Sequence, residues 1–141
     1  MARGAISHIA LTARDFDLST RFYDQVLSFM GYERIEVPET TQQAMKTPLR
    51  AWASPNGSIT LRTANAASAY KAHDRNAPGL NHLAFNADSR ADVDRLHELL
   101  QRIGAKVLDA SAQYPYFPEY YAVYFADPDD VKIEFVFWPT A

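Results

Sequence analysis

The sequence contains no cysteine, and this absence removes two kinds of chemistry. The chain can form no disulfide, and no thiolate can serve as a nucleophile or a metal ligand. Long hydrophobic runs are also missing, since no apolar stretch approaches the ~20 residues that a membrane-spanning helix needs. The first six residues lack the apolar core of a signal peptide. We therefore expect a cytoplasmic protein without a membrane partner.

An excess of charge of one sign is missing as well. The net charge is −3, with acidic and basic residues interspersed along the chain. No basic patch is present that would favour nucleic acid or an anionic membrane surface. The length of 141 residues suits one compact domain. The composition thus argues against a nucleic-acid partner and favours an ordinary globular protein.

What the sequence does have is an internal repeat. Residues 7–14 read SHIALTAR, and residues 81–88 read NHLAFNAD. In both copies a histidine precedes an apolar residue, alanine, a second apolar residue, a polar residue and another alanine. Each copy continues into a charged stretch and then an amphipathic helical pattern. The repeat predicts two related structural units in tandem.

The pattern of apolar residues and turn signals predicts the same order of elements in both units. In the first unit the predicted elements are a strand at 6–13, a helix capped by Asp15 or Asp17 and ended by Gly31, a strand at 32–37, a polar loop at 38–48, and a hairpin of 50–53 and 58–63. In the second unit they are a strand at 80–86, a helix capped by Ser89 and ended by Gly104, a short strand at 106–108, a loop at 110–118, and paired strands at 120–126 and 131–137.

These elements predict an α+β fold built from two βαβββ modules. The first module covers about residues 5–63, the second about 80–138, and residues 64–79 form a linker. The two modules are expected to form an open, cupped mixed sheet with its helices on the outer face.

Three residues of the predicted strands are candidates for metal ligands. His8 and His82 occupy matching positions of the repeat, and Glu134 interrupts an apolar run near the end of the second unit. Alternation along that run turns Glu134 away from the apolar core, towards the cup. A single strand histidine or acid is more often structural, but two imidazoles and one carboxylate suit a metal site with open positions. This donor set does not select the metal.

The same residues carry a resemblance to the vicinal oxygen chelate superfamily, which includes glyoxalases, bleomycin-resistance proteins and extradiol dioxygenases. The resemblance extends through residues 21–23 (RFY), residues 81–85 (NHLAF) and the turn at 127–130 before Glu134. It implies paired βαβββ modules around a divalent ion of Fe, Mn, Ni or Zn, held by His8, His82 and Glu134. It further implies a small-molecule substrate with vicinal oxygens, and a homodimer.

The departures from this pattern narrow the choice within the superfamily. Glyoxalase-type enzymes carry a fourth ligand, an acid on the last strand of the first module, and residues 58–63 contain none. Three ligands look more like an extradiol dioxygenase or a fosfomycin-resistance transferase. Tyr124 matches the tyrosine that precedes the acid in dioxygenases, which implies that it is a catalytic residue. Where dioxygenases use a catalytic histidine, this chain offers Tyr114, Tyr116 or Tyr120.

Other interpretations of the sequence stay open. A protein of the bleomycin-resistance kind would use the same cup without metal, binding a small molecule against a tyrosine-rich wall. A degenerate member would serve as a structural dimer. Among the remaining polar residues, Arg62 is a candidate for binding an anionic substrate, although exposed arginines are common. We interpret His97 as structural or exposed, and His73 as solvated.

Overall fold

The computed structural model describes residues 2–141. The chain falls into two compact units, which divide between Lys71 and Ala72. Each unit contains a four-stranded sheet and a long helix. No helix of the described residues is long and apolar enough to cross a membrane.

The first unit follows the predicted order of strand, helix and three strands, with one short helix added. Its elements are β1 (His8–Ala13), α1 (Phe16–Phe29), β2 (Glu33–Ile35), α2 (Glu39–Met45), β3 (Leu49–Ser54) and β4 (Gly57–Thr63). The strands lie in the order β1-β4-β3-β2. The β1–β4 pair is parallel and the other two pairs are antiparallel.

Helix α1 begins and ends as the sequence predicts. The Asp15 carboxylate accepts a hydrogen bond from the amide of Leu18 at 3.0 Å, which satisfies one of the free amides of the first turn. Gly31 follows the helix with φ of 88°, the left-handed conformation that glycine adopts without strain. The helix packs on the sheet through Trp52, whose indole N–H donates to the Asp24 carboxylate at 2.9 Å.

The prediction of a loop over residues 38–48 is wrong in part, because α2 lies within it. This helix has no buried residue, so it lacks the apolar periodicity that reveals a helix in a sequence. Polar contacts hold it instead. The Gln42 side chain donates to the Val37 carbonyl and accepts from the amide of Leu49, both at 3.1 Å.

The second unit repeats the arrangement of the first. Its elements are β5 (His82–Asn86), α3 (Arg90–Arg102), β6 (Lys106–Gln113), β7 (Tyr121–Ala126) and β8 (Lys132–Phe137). The order β5-β8-β7-β6 again joins a parallel pair to two antiparallel pairs. The predicted α+β fold with two tandem modules and open sheets is therefore confirmed.

Two details of the second unit bear on the sequence predictions. Ser89 caps α3 by accepting from the amide of Asp92, and Asp92 accepts in turn from the amide of Asp88, both at 3.1 Å. This confirms Ser89 as the predicted cap, and the reciprocal bond resembles a capping box. The predicted boundary of a strand at 106–108 with a loop at 110–118 is wrong, since β6 continues to Gln113. Its pairing with β7 shifts register twice, and such irregularities break the alternation that marks a strand.

Candidate active site

Each sheet has one face covered by its own helix, and we call the opposite face the open face. In β8, Ile133 and Phe135 are buried on the helix side, so alternation places Lys132 and Glu134 on the open face. The strand register puts Glu134 beside Ala84 of β5. His82 precedes Ala84 by one full alternation and therefore shares its face.

On this open face the structure brings two of the three predicted metal ligands together. His82 Nε2 lies 3.2 Å from Glu134 Oε2. The Glu134 side chain is only 2% exposed, whereas 35% of the His82 side chain is exposed. A buried carboxylate must be paired or hydrogen-bonded to be tolerated, and the imidazole supplies part of that pairing on the solvent side.

Two tyrosine hydroxyls hold the other carboxylate oxygen. Tyr124 donates to Glu134 Oε1 at 3.1 Å, and Tyr120 donates to the same atom. Burial, together with the hydrogen bond to Glu134, raises the pKa of Tyr120 to about 12. Burial, the hydrogen bond to Tyr120 and the charge of Glu134 likewise raise the pKa of Tyr124. Both hydroxyls therefore keep their protons at neutral pH and act as donors to Oε1, so Oε2 faces only His82.

Tyr124 is the tyrosine to which the resemblance assigns a catalytic role, and its hydroxyl is bonded to the Glu134 carboxylate; the role itself stays a prediction. For Tyr120 the resemblance indicates only that it is one of three tyrosines standing where dioxygenases have a histidine. Its partnership with Glu134 was missed, although a signal existed. Tyr120 and Tyr124 are separated by two full strand alternations, so they share a face as soon as the strand is recognised.

Asn81 fixes the orientation of His82. Its side-chain N–H₂ donates to the Arg75 carbonyl at 3.1 Å, which assigns the amide and turns Oδ1 towards His82. His82 Nδ1 lies 2.7 Å from that oxygen, so Nδ1 carries a proton. Nε2 of a neutral imidazole then presents a lone pair to Glu134 Oε2. Two such acceptors facing each other need a proton or a cation between them, and this donor pair fits a divalent metal ion.

The third predicted ligand, His8, lies in the first unit. It is exposed at the start of β1, and its Nδ1 contacts the Ser7 hydroxyl at 3.3 Å. Within either unit, the described residues do not gather three histidine, aspartate or glutamate side chains as a metal site. The three-ligand set of His8, His82 and Glu134 therefore stays a prediction.

An aromatic cluster lines the open face beside Glu134. We call it the aromatic wall; its members are Tyr114, Tyr116, Phe117, Tyr120, Tyr124 and Trp138. Tyr114 meets Tyr124 edge-on at 5.6 Å between ring centroids, and Phe117 stacks on Trp138 at 4.5 Å. Tyr116 and Phe117 are each more than half exposed. The wall therefore runs without a break from the carboxylate site to solvent.

The two remaining histidines have structural partners. His97 Nδ1 lies 3.1 Å from the Ser111 hydroxyl, in agreement with its structural interpretation. His73 was interpreted as solvated, but its Nε2 lies 2.9 Å from the Leu80 carbonyl and its amide donates to the Asp129 carbonyl. It is a fixed part of the segment that leads into β5.

Comparisons with known proteins agree with this architecture. The family model described as the Glyoxalase/Bleomycin resistance protein/Dioxygenase superfamily matches residues 5–135. The chain is 30% identical over 131 residues to the protein YqjT of Bacillus subtilis (strain 168), covering 92% of this chain and 95% of that protein.

Solved structures show the same likeness. A glyoxylase/bleomycin resistance protein/dioxygenase domain from Frankia sp. EAN1pec is similar with a TM-score of 0.76 and 27% identity, covering 96% of this chain and 98% of that one. The fosfomycin resistance protein FosX from Listeria monocytogenes has a TM-score of 0.70 at 19% identity, covering 99% and 97%. The second likeness concerns the fold alone.

Proposed function

Since this chain belongs to the Glyoxalase/Bleomycin resistance protein/Dioxygenase superfamily, we propose that it is a divalent-metal-dependent enzyme. Its substrate is a small molecule that carries two adjacent oxygen atoms. The residues that would hold the metal are His8, His82 and Glu134. Iron, manganese, nickel and zinc all accept such a set of imidazole and carboxylate ligands. When bound, the ion supplies a Lewis acid that polarises the substrate oxygens.

The single observation that carries this proposal is the meeting of His82 and Glu134. Nε2 and Oε2 face each other at 3.2 Å, while the other nitrogen and the other oxygen are already bonded to Asn81 and to two tyrosines. Both side chains are thus oriented by hydrogen bonds on the side away from the proposed metal, as metal ligands are.

The chain's own residues have distinct roles in this proposal. Tyr120 and Tyr124 hold Glu134 in one orientation, and Asn81 does the same for His82. Tyr124 is the proposed catalytic residue, since its hydroxyl keeps its proton beside Glu134 Oε1 and can turn from there to donate a hydrogen bond to a substrate oxygen. The aromatic wall excludes water from one side of the site.

The test is the metal content of the purified, untagged protein, measured by mass spectrometry without chelator. Near-stoichiometric metal is expected in the wild type and should be lost in His82→Ala and in Glu134→Ala. His97→Ala is the matched control, because it removes a histidine of the same unit that bonds only Ser111. If the wild type binds none of Fe(II), Mn(II), Ni(II) and Zn(II) after incubation, the enzyme proposal fails.

A second candidate function is metal-free binding of a small molecule. The observation that favours it is the aromatic wall, whose exposed rings of Tyr116 and Phe117 offer flat apolar surface to a ligand. The metal measurement separates the two candidates. Binding of an aromatic ligand with an affinity unchanged by Glu134→Ala would support this second function.

We further propose that the protein is a homodimer. Several large apolar side chains are exposed, among them Ile6 and Tyr70, which are 70% and 82% exposed. Such side chains are candidates for burial between copies. Light scattering of the purified protein gives the mass directly, and a monomer at micromolar concentration would contradict the proposal.

A further inference from the structure

Arg62 lies on the open face of the first sheet. In β4, Ile59 and Leu61 are buried on the helix side, so alternation puts Thr60 and Arg62 on the opposite side. The register places Arg62 beside Thr12 of β1 and Leu49 of β3. The Arg62 side chain therefore starts from an inner strand of the sheet, with β1 on one side and β3 on the other.

The guanidinium of Arg62 has no partner in its own unit. The side chain is half-buried, and its Nε is covered and makes no hydrogen bond. Within residues 2–71 no carboxylate neutralises its charge. One N–H of the guanidinium is thus covered without a partner, which is costly, so a bound anion that accepts from this guanidinium would stabilise the side chain.

Two other arginines of the same unit have partners for their guanidinium groups. Arg34 forms an ion pair with Asp24 at 3.0 Å. Arg50 also has a covered Nε, but its guanidinium lies 4.8 Å from the centroid of the Phe16 ring and donates to the Leu49 carbonyl. Arg50 occupies the helix side of the sheet, whereas Arg62 occupies the open side without any such contact.

The neighbours of Arg62 on the open face suit an oxyanion. Thr12 and Thr60 share this face with Arg62 and carry hydroxyls that can act as neutral donors, and the Ala10 side chain between them is small. Arginine presents its N–H groups as a fork that matches carboxylate, phosphate and phosphonate oxygens. His8 shares this face, about 13 Å along the strands from the Arg62 backbone at ~3.3 Å per residue.

We propose that Arg62 binds an oxyanionic group of the substrate, a carboxylate, phosphate or phosphonate, on the open face of the first sheet. This inference rests on the proposed function, because the oxyanionic group is one end of the substrate of the proposed enzyme. The opposite end carries the adjacent oxygens. Arg62 therefore selects anionic substrates and positions them along the sheet.

The experiment uses the full-length ¹⁵N-labelled protein, titrated with inorganic phosphate and separately with acetate at constant ionic strength. Phosphate should shift the Arg62 Nε–Hε signal and the amides of Thr12 and Thr60. In Arg62→Met the phosphate dissociation constant should rise by about tenfold or more. Arg50→Met is the matched control and should bind as the wild type does. Arg62→Lys keeps the charge without the fork and should give an intermediate value.

Each result decides the proposal. Equal phosphate binding by Arg62→Met and Arg50→Met would overturn it, and so would the absence of any shift with both anions in the wild type. Repeating the titration with chelator separates this proposal from the metal one. Anion binding that survives chelation and depends on Arg62 supports the inference even if no metal binds. Binding lost on chelation, and unaffected by Arg62→Met, assigns the anion to the metal instead.

Discussion

Thr60 occupies, in the first sheet, the register position that Glu134 occupies in the second. Thr60 pairs with Ala10 of β1, as Glu134 pairs with Ala84 of β5. Each of these alanines follows the histidine of its own repeat by the same spacing. The carboxylate that glyoxalase-type sites carry in their first module is therefore missing at one identifiable position of this chain.

Restoring that carboxylate should strengthen metal binding. Thr60→Glu places a half-buried charge without the two tyrosines that support Glu134, so it should cost about 1–3 kcal/mol of stability in metal-free protein. Added metal should recover this loss, and its affinity should rise by about tenfold or more. Calorimetric titration with Zn(II) or Mn(II), with melting curves in both states, measures the two effects. Thr60→Gln is the neutral control, and equal metal affinities of Thr60→Glu and Thr60→Gln would refute the prediction.

The two tyrosines on Glu134 should act on the metal as well as on stability. Tyr120→Phe and Tyr124→Phe each remove one hydrogen bond to a buried carboxylate, which should destabilise the fold by about 1.5–3 kcal/mol. If the bonds orient a metal ligand, metal affinity should also fall by about 10–100-fold. Denaturant unfolding and metal titration measure these separately, with exposed Tyr116→Phe as control. Lower stability with unchanged metal affinity would mean that the two tyrosines stabilise the fold but do not orient a metal ligand.

The elements that the sequence predicts are those with strong local signals. Helix α1 has its cap at Asp15 and its glycine at Gly31, and both lie where the pattern puts them. Helix α2 has neither a buried face nor a side-chain cap. The sequence therefore shows neither the apolar periodicity nor the capping residue that would predict this helix. Strand β6 was predicted too short because its two register shifts fall where the prediction ended it.

The sequence predicts the residues of the candidate site better than it predicts their contacts. The sequence singles out His82 by its position in the repeat and Glu134 by its place in an apolar run, and the structure brings these two side chains together. Asn81 and Tyr120 were not assigned their contacts with this pair. The contacts of Asn81 depend on where the segment before β5 lies in three dimensions, and the sequence carries no local sign of that. The shared face of Tyr120 and Tyr124 does follow from strand alternation, but the reach of the Tyr120 hydroxyl to Glu134 does not. Asn81 bonds to Arg75, six residues earlier, and Tyr120 bonds to Glu134 across an antiparallel pair.

Asn81 should control the affinity of His82 for metal. Asn81→Ala removes the acceptor of the Nδ1 proton and frees the ring to turn, so metal affinity should fall by about 10–100-fold. Asn81→Asp keeps the acceptor and should retain most of the affinity. Asn86→Ala, at the far end of the strand that begins with His82, is the control. Metal titration of the three variants checks this, and an Asn81→Ala variant that binds metal like Asn86→Ala would exclude the role.

Gly57 should be required for the approach of β4 to the segment that leads into His8. A Cβ at Gly57 would lie 3.2 Å from the Ser7 carbonyl oxygen and 3.3 Å from that of Ile6, and its φ is 128°. Gly57→Ala should therefore cost about 1–3 kcal/mol for backbone strain, plus the displacement of the Ser7 backbone. Gly79 has a similar φ of 133° with nothing within 4 Å of the added Cβ, so Gly79→Ala isolates the strain alone. Thermal unfolding should show the larger loss for Gly57→Ala. Metal affinity should fall with it if His8 is a ligand, whereas equal losses for the two variants would mean that the close approach contributes nothing.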